Sequence, residues 1–163
     1  MTATVDGGFM RGKKVLVLLG LVFVCLLPDS ALQGEILGDY LGYSACTPCH
    51  ADKVTGWKTT PHAKAFEVLK TQGEEKQQNP GCMQCHVVGY DKDGGFIDME
   101  LTPELRDVQC ESCHGPGRKH SESMNPEAIL GKPEEAACRT CHTEGQDKSF
   151  DFKTKSQLVH GKK

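Results

Sequence analysis

From residue 15 to residue 27 the chain reads VLVLLGLVFVCLL, thirteen positions without a charge. No later stretch is as apolar. Beyond residue 31 the apolar positions follow helical or strand periods only weakly, and three short helices can be placed. Thr60 and Pro61 have the chemistry of an N-cap and a first helical position, HAKAFEVLKTQ continues the helix, and Gly73 stops it. Thr102-Pro103-Glu104 opens a second helix whose last turn carries CESCH and which stops at Gly115. Pro133-Glu134-Glu135 opens a third, running into CRTCH. QQNPG before CMQCH and YDKDGG after it are expected to be loops, and DKDGGFIDMEL a short hairpin. The expected fold class is mainly α with much irregular loop and no substantial sheet.

The apolar run has a context. Arg11, Lys13 and Lys14 precede it and PDSALQG follows it, the order of a secretory signal. It is too short for a membrane span. Residues 1–31 are expected to be a signal peptide, with Met10 as an alternative start and cleavage near Ala31 or Gly34. Cys25 follows Val24 rather than a small residue, so it belongs to the apolar leader and not to a lipid-attachment site. Residues 32–163 then form a single exported, periplasmic domain. Three of the 19 basic and two of the 22 acidic side chains fall in the leader, leaving a balance of −4. No basic stripe for nucleic acid exists. The lysines Lys153, Lys155, Lys162 and Lys163 make a solvated tail.

Eight of the nine cysteines fall into four Cys-x-x-Cys pairs: Cys46/Cys49, Cys82/Cys85, Cys110/Cys113 and Cys138/Cys141. Such pairs bind zinc, form disulfides or attach haem c. A histidine follows each pair at once: His50, His86, His114 and His142. Zinc sites do not require that. Histidine makes up 7 of 163 residues, so four such coincidences have a chance probability of about one in several hundred thousand. The physical reason for the spacing is that residues i, i+3 and i+4 share one face of a helical turn. Two thiols there form thioethers with the vinyl groups of one haem, and the next imidazole lies under the iron. Haem c is attached outside the cytoplasm, so leader and motifs support each other. Four haem c groups in about 130 residues leave roughly 32 residues each, below what a side-chain core needs. The four haems are therefore expected to form the core of a compact multihaem cytochrome. No triad, phosphate loop or acid pair for hydrolysis is found.

Four irons offer eight axial positions. His50, His86, His114 and His142 are proximal, and His62, His120 and His160 are the remaining histidines. All three are candidate distal ligands. His62 sits at a helix N-terminus, where the dipole disfavours the imidazolium. One iron still lacks a histidine. It is open, or takes Met83, Met99 or Met124, or borrows a ligand from another molecule. Arg118 is a candidate for a propionate contact, and Trp57, Tyr40 and Tyr43 for packing on porphyrin.

CTPCH with GWKTTPHAKAF, GCMQCHVVGYDKDGGF and CESCHGPGR together resemble the tetrahaem cytochromes c-554 of ammonia-oxidising bacteria. The resemblance covers most of the chain beyond the leader. It implies His62 as distal ligand to the His114 iron, His120 to the His50 iron and His160 to the His142 iron, with the His86 iron five-coordinate. It also implies haems stacked first with third and second with fourth. The chain is shorter after the fourth motif and acidic where a family member that docks to hydroxylamine oxidoreductase is basic, so that partner is not carried over. The expected function is electron transfer between redox partners, a donor and an acceptor. The alternatives are a reductase of nitric oxide or a hydroxylamine-type molecule at the His86 iron, and a haem-lined polymer whose missing ligand comes from a neighbour.

Overall fold

The computed structural model describes Met1, Thr2 and residues 38–161; the expected signal peptide and its cleavage sites lie outside the described residues. Helix α1 (Tyr43–Trp57) carries the first motif, and no residue near its start gives a capping signal. Gly42 holds the N-cap position at φ 76°. The free N–H groups of that end are taken from far along the chain. Tyr43 N–H donates to Gln109 Oε1 at 2.5 Å and Gly42 N–H to Glu111 Oε2 at 2.8 Å. These bonds satisfy donors a helix cannot satisfy itself. Pro48 removes an N–H inside α1, and His50 leaves helical geometry at φ −123°, ψ 36°.

A 3-10 turn, Pro61–Lys64, leads into α2 (Ala65–Gln72), and Gly73 ends it. This matches the expected helix except at its cap. Thr60 donates its hydroxyl to Trp57 O, and the α2 end is capped instead by Asp107, whose Oδ1 accepts from Phe66 N–H at 2.8 Å. One turn, α3 (Glu74–Gln77), precedes α4 (Pro80–His86), which bears the second motif. Its cap is Asn79, whose side chain accepts from Gly81 N–H, with Pro80 at N1. The NP of QQNPG is thus a helix start rather than a loop.

The second expected helix is two pieces. Pro103–Leu105 is a 3-10 turn, and α5 is Cys110–His114. Asp107 interrupts them in the left-handed region at φ 73°. Gln109 bridges the break by donating Nε2–H to Glu104 O and Arg106 O. Gly115 ends α5 at φ 79°, as expected. Helix α6 (Arg118–Ser123) follows, then α7 (Glu135–Arg139), which opens after Pro133 as expected but carries only Cys138 of its motif, and α8 (Phe152–Lys155). No hairpin forms at 91–101. Turns fill that stretch, with the Asp98 carboxylate accepting from Glu100 and Leu101 N–H, and one antiparallel bridge, Val87 to Arg106, is present among the described residues. The fold is mainly helical with no sheet among the described residues. No helix among them is long and apolar enough to cross a membrane.

One side-chain core is present among the described residues. Phe66, Leu69, Met83, Val87, Val88, Phe96 and Leu105 bury one another, and Tyr40, Cys82, Tyr90 and Met99 pack on them. It lies beside the second motif, because α2, α4 and the loop from 87 to 105 converge there. Val88 N–H donates to Leu105 O and Phe96 N–H to Val88 O.

Candidate redox centre

The structure gathers six of the seven histidines into facing pairs. The rings of His50 and His120 have centroids 6.3 Å apart at 28°, and those of His114 and His160 lie 6.3 Å apart at 27°. His62 faces His142 at 6.0 Å and 53°. An iron held between two imidazoles, with iron–nitrogen distances of about 2 Å and ring centres about 1.1 Å behind the nitrogens, would set the centres about 6.2 Å apart. The donor geometry therefore fits bis-histidine iron. His120 faces the ring that the resemblance assigned to it. The other two partners are exchanged: His62 faces His142 rather than His114, and His160 faces His114 rather than His142. His86 is the histidine left over.

Local hydrogen bonds orient several rings. Nδ1 of His86 lies 2.6 Å from Ala65 O, that of His114 2.6 Å from Leu130 O, and that of His120 2.9 Å from Asn125 O. With the proton on Nδ1, each ring donates to its carbonyl and keeps the Nε2 lone pair for a metal. His142 differs, with Nδ1 3.0 Å from a carboxylate oxygen of Asp147. That contact holds the Asp147 carboxyl below its ordinary range. Phe150 stacks on the His142 ring at 4.5 Å, and Arg139 lies over Phe150. Burial lowers the pKa of His62, with His142 adding to the effect, and burial, Lys53 and His114 lower that of His160. Both shifts favour the neutral imidazole, the form that binds metal.

Backbone contacts fix the distal segments. Val108 N–H donates to His62 O, and Trp57 Nε1–H donates to Val108 O at 2.9 Å. Trp57 is buried and packs on Tyr43 at 4.8 Å. His160 is seated by glycines: a Cβ on Gly56 would strike His160 O, and Gly161 has φ 81°. Arg118 donates Nε–H to Gly38 O and pairs with Glu122 at 3.5 Å. Met83 and Met99 belong to the apolar core, while Met124 is 66% exposed.

The cysteine sulfurs link motifs in twos. Hydrogen bonding to Cys110 is the main cause that pushes the Cys46 thiol up, and burial adds to it. Burial and then Cys141 push Cys85 up to about 11, and burial and then Cys138 push Cys113 up to about 11. The first motif thus meets the third and the second meets the fourth, with Cys113 between third and fourth.

Helix α1 buries Val54 and Trp57, and the residues from Pro48 to Lys53, Cys49 and His50 among them, lie outside that packed face. The i, i+3 spacing places Cys46 and Cys49 on one side of the helix, but only Cys46 reaches a second motif. Sequence reasoning missed Asp147, Ala65, Asp107, Gln109 and Glu111. Only the carboxylate five residues beyond a motif histidine offered any signal.

Residues 45–115 match the family described as cytochrome c554 and c-prime. Cytochrome c-554 of Nitrosomonas europaea is 31% identical over 164 residues, covering 90% of this chain and 68% of that protein. The solved structure of the reduced state of cytochrome c554 from the same organism superposes with a TM-score of 0.58 at 26% identity, over 75% of this chain and 83% of that one.

Proposed function

Because the chain belongs to the cytochrome c-554 family, we propose that three of its irons are closed electron-transfer centres and that the fourth, on His86, is open. Membership makes it a multihaem c-type cytochrome with four covalent haem c groups, an electron carrier that works outside the cytoplasm. The haems bring one-electron chemistry; the chain's residues attach, orient and enclose them. In this reading Cys46/Cys49, Cys82/Cys85, Cys110/Cys113 and Cys138/Cys141 hold the haems, and His50, His86, His114 and His142 are the proximal ligands. His120, His160 and His62 complete the irons of His50, His114 and His142. Residues 1–31 are the signal peptide that takes the chain to the periplasm.

The observation that carries this reading is the set of three ring pairs at 6.0–6.3 Å with His86 left single. Two nitrogen ligands saturate an iron, so a paired centre exchanges electrons and binds nothing else. The sulfur contacts of Cys46 with Cys110 and of Cys85 with Cys141 support haems in two close pairs, which suits rapid transfer between a donor and an acceptor protein.

The single histidine favours a second reading, in which the His86 iron binds nitric oxide or a hydroxylamine-type molecule and is reduced through the other three. Low-temperature EPR of the oxidised four-haem protein, with and without nitric oxide, tests both. One high-spin centre in four, lost on adding nitric oxide, is expected. Four low-spin centres inert to nitric oxide would mean that a methionine or a neighbouring chain supplies the eighth ligand.

A further inference from the structure

Glu111, the second residue of CESCH, has a buried carboxylate, 3% exposed, that no part of the haem assignment uses. It accepts from Leu41 N–H at 3.0 Å to each oxygen, from Gly42 N–H at 2.8 Å and from Gly117 N–H at 2.7 Å. Three backbone donors from two loops fix it in place. It lies in the third motif and is bonded to the residues that lead into the first. Its field reaches the sulfurs of both Cys46 and Cys110, the atoms that join the chain to those two haems. A buried charge is screened weakly, so its action on a nearby iron is stronger than that of a surface carboxylate.

We propose that Glu111 is a potential-setting residue: its buried carboxylate holds the irons of His50 and His114 at lower reduction potentials than a neutral residue in its place. An oxidised iron in a porphyrin carries one more positive charge than the reduced one. The fixed anion favours that oxidised form, and the one electron that reduces it, supplied by the donor protein, leaves it for the acceptor. The inference rests on the haem assignment above.

The test is Glu111→Gln in the intact four-haem protein, with a redox titration that resolves the centres by EPR. The reduction equilibria of the His50 and His114 irons are expected to move at least about tenfold toward the reduced form, which is about 59 mV for one electron. Those of the His86 and His142 irons should move less than about a third as far on that scale. No shift, or an equal shift at all four, would overturn the proposal. Haem content and the low-spin signals, read in the same samples, report separately on the ligand assignment. Glu111→Asp keeps the charge while weakening the bonds to the loops, so it should lower Tm and leave the potentials near wild type. Equal rises in both variants would assign the effect to geometry and overturn the role of charge. If the glutamine variant does not load four haems, redox-difference infrared spectra of wild-type protein with carbon-13 glutamate decide. A shifting glutamate carboxylate band on reduction of these two irons is expected, and its absence refutes the proposal.

Discussion

Beside the second motif, Phe66, Val88 and Leu105 are almost fully buried by other side chains, while no comparable apolar cluster adjoins His50, His114 or His142 among the described residues. The two regions keep their shape by different means. Around His86 the chain packs on itself, and Ala65 O fixes the imidazole from behind. Around the other three motifs the apolar material is scarce, and on the proposed ligation two iron–nitrogen bonds per centre close the structure. A centre built of side chains can leave its metal an empty position without losing its geometry. A centre built of metal bonds cannot, because each ligand is also a strut.

Withholding the haem should show this contrast most strongly. In chains with all eight motif cysteines changed to serine, amide exchange is expected to stay slow at Val88, Phe96 and Leu105 and to become fast from residue 118 to residue 160. Uniform loss of protection would mean that the apolar cluster does not stand without haem. The next largest effect separates the ligand pairs. His62→Ala should turn the iron of His142 high-spin, whereas His160→Ala should do so to the iron of His114. The pairs at 28° and 27° should give similar low-spin signals and the pair at 53° a different one, because ring orientation changes the splitting of the iron orbitals. That distinct signal should vanish in His62→Ala and survive in His160→Ala; the reverse would restore the pairing implied by the resemblance.

Phe66→Ala then probes the packed region alone. A fully buried phenylalanine cut to alanine costs about 3–5 kcal/mol, measured by denaturant unfolding of the haem-loaded protein. Val68→Ala on the exposed face of the same helix should stay within about 0.5 kcal/mol. Equal costs would place the haem, not the cluster, against Phe66. The smallest effect concerns pH. Burial raises the Asp107 carboxyl above its ordinary value, against the pull of Phe66 N–H. An acid whose folded pKa exceeds its unfolded one adds most stability at low pH, and this is lost as pH climbs through the two values. Asp107→Asn keeps an acceptor for Phe66 and drops the charge. The variant should gain on wild type as pH climbs from the ordinary carboxylate range through the raised value of Asp107, seen as diverging denaturation midpoints; a constant difference would contradict the shift.

The chemistry was more legible than the architecture. CxxCH shows itself because thioether attachment needs its residues adjacent in sequence, and with only seven histidines the distal candidates follow by counting. Which iron each distal histidine meets was hidden, because His62 and His160 lie 80 and 46 residues from the rings they face and spacing carries no information over that distance. Helix α1 was missed for a related reason: a glycine N-cap and an internal proline read as a break, and the groups that satisfy its first turn, Gln109 and Glu111, are 66 to 70 residues away. Asp107 caps Phe66 across 41 residues, so the split of the expected second helix left no local mark.

The seat of His160 against Gly56 has a consequence for how such a molecule is made. The chain emerges on the far side of the membrane from its N-terminal end, and haem can be joined to each motif as it appears. On the proposed ligation, coordination would follow another order. The His142 centre would wait for nothing beyond its own motif, because His62 is already out. The His50 centre would wait for residue 120, and the His114 centre would stay half-finished until residue 160 has been delivered and tucked beside Gly56. On that ligation, a chain interrupted anywhere in that last stretch would carry every haem yet leave a coordination gap in its third centre.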